Sequence, residues 1–339
     1  MSSQRQFLES EIIGEIGLSH EGSLGLALSM IKACKKAGLD YAKFQYHSPF
    51  YESTKEEDFR VRIFPQDLTR RDYWERTSFS RLEWKVIYDY CKEVGIKFLC
   101  TPFSVFAASE LLELGVREVK IGSGDALNFE ILEFARENFN RVFVSLGFCK
   151  VAEIQKIRDF FHDYSGELVL MQCTSEYPAD VLDVGLTVID TIEKLGVKAG
   201  LSDHTGNAFV PMSAIAYGAS FVEFHVVFDN QQFGPDSLAS LTFKEAKRVV
   251  DFKNTWSLAI DNKYDKDRVA SRLEVTKDKF GRGISVVRIV KKGETLSRDL
   301  LTLKKPRGPL DWDDLHLALN KRTKRDIYPD EHLGFDDFE

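Results

Sequence analysis

At 339 residues, 43% apolar and 29% charged, the chain has room for one large domain and a small one. A net charge of −7 argues against general nucleic-acid binding, which needs a basic face, and no apolar run is long enough to span a bilayer. The five cysteines, Cys34, Cys91, Cys100, Cys149 and Cys173, form no C-x-x-C pair, and Met1–Ser10 has no apolar signal core. The expectation is a cytoplasmic protein with reduced, buried thiols.

Ile12–Gly17 reads as a strand ending in a glycine turn. A helical run opened by Ser23 follows, with Leu24, Leu28 and Ile31 at helical spacing, and Gly38 closes it. Asp40–Gln45 is the next strand. The same strand-and-helix unit then recurs. The strands are Lys97–Thr101, Glu118–Gly122, Arg141–Ser145, Leu168–Cys173, Val197–Leu201 and Phe221–His225. The helices between them are read at Arg81–Val94, Val105–Leu114, Phe129–Asn138, Val151–Tyr164, Val184–Leu195 and Ala208–Tyr217, and a last one at Thr242–Ile260. Strict alternation requires parallel strands with right-handed crossovers, and eight such units close into a (β/α)8 TIM barrel. An open doubly wound sheet is disfavoured because no G-x-G-x-x-G follows the first strand.

The irregular stretch Ser48–Thr77 is rich in charge and aromatics: Phe50, Tyr51, Phe59, Phe64, Tyr73 and Trp74. It reads either as a loop packed on the barrel or as a lid over the site. Beyond the barrel, residues 1–262, the charged stretch 263–279 reads as a linker or an exposed helix. Residues 280–339 carry short β segments with turns, a small β-rich domain with little core of its own.

Active sites of such barrels lie where the strands end. The polar residues there are Glu15, Lys43, Gln45, Thr101, Lys120, Ser123, Ser145, Ser175, Tyr177, Ser202, His204, His225 and Asp236. Lys43 and Lys120 lie in otherwise apolar strands, and lysines are rarely buried unless paired. Glu118 and Asp125 are the expected partners if the pairing is purely structural. Two inward lysines with several hydroxyls suit an anionic, oxygen-rich ligand. Ile121-Gly-Ser-Gly124 has the backbone for a phosphate turn, with Asn128 read as the cap of the next helix. His204 and His225, one unit apart at neighbouring strand ends, suit a divalent metal with open positions. Glu15 is the carboxylate facing them, able to act on a bound water or hydroxyl. Asp203 and Asp229 stand beside the imidazoles, as helix caps or as orienting groups.

These residues fall within motifs that resemble the sialic acid synthase (nonulosonic acid synthase) family. They are Glu15-Ile-Gly-Leu-Ser-His-Glu-Gly22, Lys43-Phe-Gln45, Thr101-Pro-Phe103, Lys120-Ile-Gly-Ser-Gly124, Cys173-Thr-Ser-Glu-Tyr-Pro178, Gly200-Leu-Ser-Asp-His-Thr205 and His225-Val-Val-Phe-Asp229 with Gly234-Pro-Asp236. The end of the chain, with Lys291-Lys-Gly-Glu294 and Lys304-Lys-Pro306, looks like the antifreeze-like (SAF) domain of that family. The resemblance implies condensation of phosphoenolpyruvate with an N-acetylmannosamine-type aldose, an amino sugar, giving a nine-carbon 2-keto-3-deoxy acid and phosphate. It assigns Lys43, Thr101, Lys120, Ser123, Ser145 and Ser202 to phosphoenolpyruvate. Glu15 stands near the reacting carbons, and Gln45, Tyr177 and Asp236 contact the sugar. His204 and His225 would hold a Mn²⁺-type ion (Mg²⁺ or Co²⁺ being alternatives). It also implies a domain-swapped homodimer whose small domain reaches the partner's site.

The chain departs from the family pattern on the sugar side. Phe224 stands where a lysine usually precedes the second histidine, and Ser175 where an asparagine is usual. The family Lys-Arg-Pro-Gly is here Lys304-Lys-Pro-Arg307, leaving Lys305 or Arg307 for the arginine's sugar contact. A legionaminic- or pseudaminic-type acid synthase using a 2,4-diacetamido-trideoxyhexose is therefore the alternative. An aldolase for a sugar phosphate would need a further basic cluster, which the sequence lacks. A non-catalytic sugar-binding barrel is disfavoured by Glu15, Lys43, Lys120, His204 and His225 occurring together.

Overall fold

A parallel strand covered on both faces has no solvent side, so its residues are apolar nearly throughout rather than alternating. Eight segments of this kind form the first part of the computed structural model, which describes residues 10–54, 56–61, 65–261 and 263–339. They are β1 (Glu11–Gly17), β2 (Tyr41–Tyr46), β3 (Lys97–Pro102), β4 (Glu118–Ile121), β5 (Arg141–Ser145), β6 (Glu167–Cys173), β7 (Lys198–Asp203) and β8 (Phe221–Val227). Their hydrogen-bonded order is β3-β2-β1-β8-β7-β6-β5-β4, every pair parallel, and β3 and β4 lie side by side to complete the ring. This is the (β/α)8 TIM barrel expected from the alternation. A ninth short strand, β9 (Leu241–Thr242), pairs with the end of β8.

The helices are set by their caps. Ser23 accepts the amide of Leu26 at the start of helix Leu24–Ala37. Ser80 and Glu83 form a capping box ahead of Arg81–Val94. Their apolar faces pack on the strands in one continuous core. The helix read at Val184–Leu195 is shorter, Val188–Glu193, with a 3-10 turn at Val181–Asp183 before it. Gly185 at φ 67 breaks the helical path between the two. Inside the barrel a separate cluster of Ile13, Tyr41, Leu99, Phe143, Val169, Met171 and Phe221 fills one layer.

The stretch after β2 folds into two short helices, Pro49–Glu52 and Arg70–Thr77, the second with a Thr69/Asp72 capping box. Tyr73 and Trp74 bury themselves against Leu18 and Phe59, while Phe64 lies outside the described residues.

The chain divides into two compact units, Met1–Asp261 and Asn262–Glu339. The stretch read as a linker or an exposed helix is two exposed helices, Lys266–Arg272 and Glu274–Phe280, and it belongs to the second unit. Asp265 caps the first helix. Arg307 ties the second down through Glu274 and Asp278. The unit's core is Ile284, Val286, Val290, Leu296, Leu310, Ile327 and Leu333, beside the antiparallel pair β10 (Gly283–Val286) and β11 (Leu301–Lys304). Among the described residues, no helix is long and apolar enough to cross a membrane.

Candidate active site

Inward positions recur every second residue along a strand. The register between strands brings those positions to common levels. Glu15 of β1 stands opposite Lys43 on one side and His225 on the other. Ser202 of β7 stands opposite Glu223 of β8. At the strand ends these side chains surround a cavity of about 460 Å³. Its lining includes Glu15, Lys43, Gln45, Thr101, Lys120, Ser123, Ser145, Ser175, Tyr177, Ser202, His204, His225 and Asp236.

Four charges form its floor. Lys43 Nζ lies 2.6 Å from Glu15 Oε2 and 3.6 Å from Glu223 Oε1. Lys120 Nζ donates to both Glu223 oxygens, at 2.9 and 3.0 Å, and Ser202 Oγ donates to Oε1 at 3.0 Å. The lysine partners are thus Glu15 and Glu223, rather than the expected Glu118 and Asp125. Glu118 instead accepts from Tyr41 Oη and Arg141 outside this group. Burial pushes the Glu223 carboxyl up, but Lys120 and Lys43 outweigh it and hold the group at about 2. Burial also opposes the charge on each lysine. Lys43, with two carboxylates, still ends above its usual range, while Lys120, which has Glu223 and faces Lys43, ends below.

The hydroxyl side of the cavity is tight. The amide of Gly147 donates to Ser123 Oγ at 3.1 Å. A Cβ at Gly147 would meet Ser175 Oγ at 2.0 Å and Ser123 Oγ at 2.8 Å, so both hydroxyls would have to move to admit one. Ser145 Oγ is buried without a hydrogen-bond partner, a polar atom left for a ligand. Asn128 does not cap its helix with its side chain; it donates to Asp125 Oδ1 at 3.1 Å. All five thiols are pushed up by burial, so none is a standing thiolate.

On the other side His204 Nδ1 donates to the Thr174 carbonyl at 2.9 Å, which fixes the tautomer and turns Nε2 toward Tyr177 Oη at 3.1 Å. Burial, then the neighbouring His225, pushes His204 down to about 3, so it stands neutral. The two imidazole centroids are 5.5 Å apart, and His225 Nδ1 is buried with no partner. A neutral imidazole oriented by a backbone carbonyl, beside a second with an orphaned nitrogen, fits a divalent ion. Among the described residues no third His, Cys, Asp or Glu completes such a group. Asp203 accepts from Thr205 and Asp229 from Gln231, so both serve turns rather than imidazoles.

The stretch after β2 supplies residues that inspection of strand ends missed. Arg60 lies over the Tyr177 ring at 4.1 Å and pairs with Asp236. Glu52, Phe59, Tyr73 and Trp74 also line the cavity. Glu223 was missed as well, although it shares with His225 the inward face of an apolar strand. Lys305 and Arg307 belong to the second unit. There the Lys305 ammonium lies 5.2 Å from the Phe280 ring centre, and Arg307 is held by Glu274 and Asp278.

Comparison with known proteins settles the family. The NeuB family model matches residues 30–264. The chain belongs to the NeuB family. A SAF domain follows at residues 281–339. The chain is 30% identical over 333 residues to a pseudaminic acid synthase of Campylobacter jejuni, covering 96% of each chain. It is 31% identical over 248 residues to an N,N'-diacetyllegionaminic acid synthase of Legionella pneumophila, covering 70% of each. An N-acetylneuraminic acid synthetase from Leptospira borgpetersenii superposes with a TM-score of 0.68 at 26% identity, covering 83% of this chain and 96% of that one. The family is one of acid synthases, and this member is an enzyme of that carbon–carbon bond-forming transferase type.

Proposed function

We propose that this enzyme condenses phosphoenolpyruvate with an N-acetylmannosamine-type aldose and releases phosphate. C3 of phosphoenolpyruvate bonds to the aldehyde carbon, whose oxygen takes up a proton. Water adds at C2, and the C2–O bond to phosphate breaks to leave the 2-keto acid. Lys43 and Lys120 bind the carboxylate and phosphate, with Thr101, Ser123 and Ser145 donating around them and Ser202 beside them holding Glu223. Glu15, fixed beside Lys43, takes the proton from the entering water. His204 and His225 would hold a divalent ion of the Mn²⁺ type, whose chemistry is to polarise the aldehyde. Gln45, Tyr177 and Asp236 orient the sugar. The observation that carries this reading is the buried Glu15–Lys43–Glu223–Lys120 group in one cavity with His204 and His225.

A trideoxy sugar is the second reading. It is favoured by the aromatic wall of Phe59, Trp74 and Phe148 beside the polar floor, which suits methyl and acetamido groups. The names of the two curated relatives point the same way. The test is phosphate release from phosphoenolpyruvate with a panel of aldoses, with and without Mn²⁺, and mass spectrometry of the product. Release with an acetamido aldose is expected, and none with any aldose overturns the proposal. A homodimer in which the SAF domain caps the partner's site is part of the proposal. Sedimentation as a monomer at micromolar concentration overturns that part.

A further inference from the structure

Gln45 is the start of a partly buried chain of hydrogen bonds that leaves the site. Its Nε2 donates to Glu15 Oε1 at 2.9 Å. Its Oε1 faces His47 Nε2 at 3.3 Å. His47 Nδ1 lies 2.7 Å from Glu52 Oε1, and Glu52 Oε2 accepts the Ser48 amide at 2.8 Å. The His47 and Glu52 side chains are only 4% and 3% exposed. The His47 ring is clamped between Trp74, at 4.8 Å and 12°, and Phe103, at 4.3 Å and 8°. It cannot rotate without breaking both stacks.

One order of donors satisfies every contact along this chain. An ionised carboxylate only accepts, so the amide must turn its NH₂ to Glu15. Its oxygen is then left facing His47, which must donate from Nε2. The Nδ1 contact with Glu52 leaves Nε2 available to carry its own N–H. With no donor at that place, the amide is free to turn its oxygen toward Glu15, and two acceptors would then push the carboxylate away from Lys43.

We propose that His47 and Glu52 are positioning residues for the condensation. They act through Gln45 to hold the Glu15 carboxylate in its working orientation. This inference rests on the proposed reaction for its kinetic consequence, but the hydrogen-bond order is a property of the protein alone.

The test pairs two substitutions in the full-length chain. In His47→Gln the side-chain nitrogen takes the place of Nε2 and still donates to Gln45. In His47→Asn it takes the place of Nδ1 and can reach only Glu52. His47→Gln is expected to keep kcat within about threefold, while His47→Asn loses about 10- to 100-fold, the scale of a misplaced group, with KM for phosphoenolpyruvate little changed. Thermal melting of both variants controls for folding, since both remove the same aromatic stack. Equal losses in the two variants, or no loss in His47→Asn, overturn the proposal. Ring ¹⁵N spectra of the unsubstituted protein, with His47 assigned by its absence from His47→Gln, need no substrate. A protonated Nε2 is expected, and an unprotonated one overturns the proposal whatever the kinetics show. Failure of the unsubstituted protein to release phosphate overturns the reaction instead.

Discussion

The barrel interior changes character within two residues. Ile13, Tyr41, Leu99, Phe143 and Phe221 face inward and pack into a buried apolar layer. Two positions further along the same strands stand Glu15, Lys43, Thr101, Ser145 and Glu223, just as buried. The first layer is ordinary core, stabilised by burial and close packing. The second takes four charges out of water and recovers the desolvation only through mutual pairing. Two lysines and two glutamates balance, so the layer is neutral as a group while offering separate cations to an incoming anion. The contrast teaches that the apolar layer is held by packing, whereas the charged layer beside it carries a desolvation cost that only pairing offsets.

Breaking the charged layer on one side should have the largest effect. Glu223→Ala leaves Lys120 buried without its partner. It is expected to lose about 3–5 kcal/mol by denaturant unfolding and to abolish phosphate release. Phe143→Ala opens a cavity in the apolar layer. It should lose about 3–4 kcal/mol, with phosphoenolpyruvate binding still measurable in whatever fraction stays folded. The sharper comparison is the double change Lys120→Met with Glu223→Met. Removing both partners should leave stability unchanged or raise it by about 1–2 kcal/mol, yet turnover should vanish. A large destabilisation there would mean that the pair is structural. His225→Ala should leave unfolding within about 1 kcal/mol of the parent, because its Nδ1 makes no hydrogen bond to lose, while Mn²⁺-stimulated turnover disappears. The smallest effect is expected from Thr101→Val, which removes the 3.3 Å bond from Lys43 and should cost about 1 kcal/mol.

Much of this was legible because strand position and side-chain chemistry are local. Lys43 and Lys120 each stood out in an apolar run, and both prove buried and paired. Their partners did not follow from the sequence. Lys120 and Glu223 are 103 residues apart and meet only because the ring closes through β8. The stretch after β2 was hard for a different reason. It has no periodicity, so nothing local says that Arg60 covers Tyr177 or that His47 lies between Trp74 and Phe103. The ion pairs of the charged stretch before β10 were not legible locally, because they involve Arg307, well beyond it in the chain.

By itself the sequence determined the eight-unit alternation, the order of the strands and the residue types gathered near their ends. Apolar runs and helix caps act over a few residues and need no partner to be recognised. Only the tertiary structure decided which charges pair, which imidazole nitrogen is left free and which side chains of the β2 stretch reach the cavity. Those depend on register and on ring closure, which bring together residues that no local pattern connects.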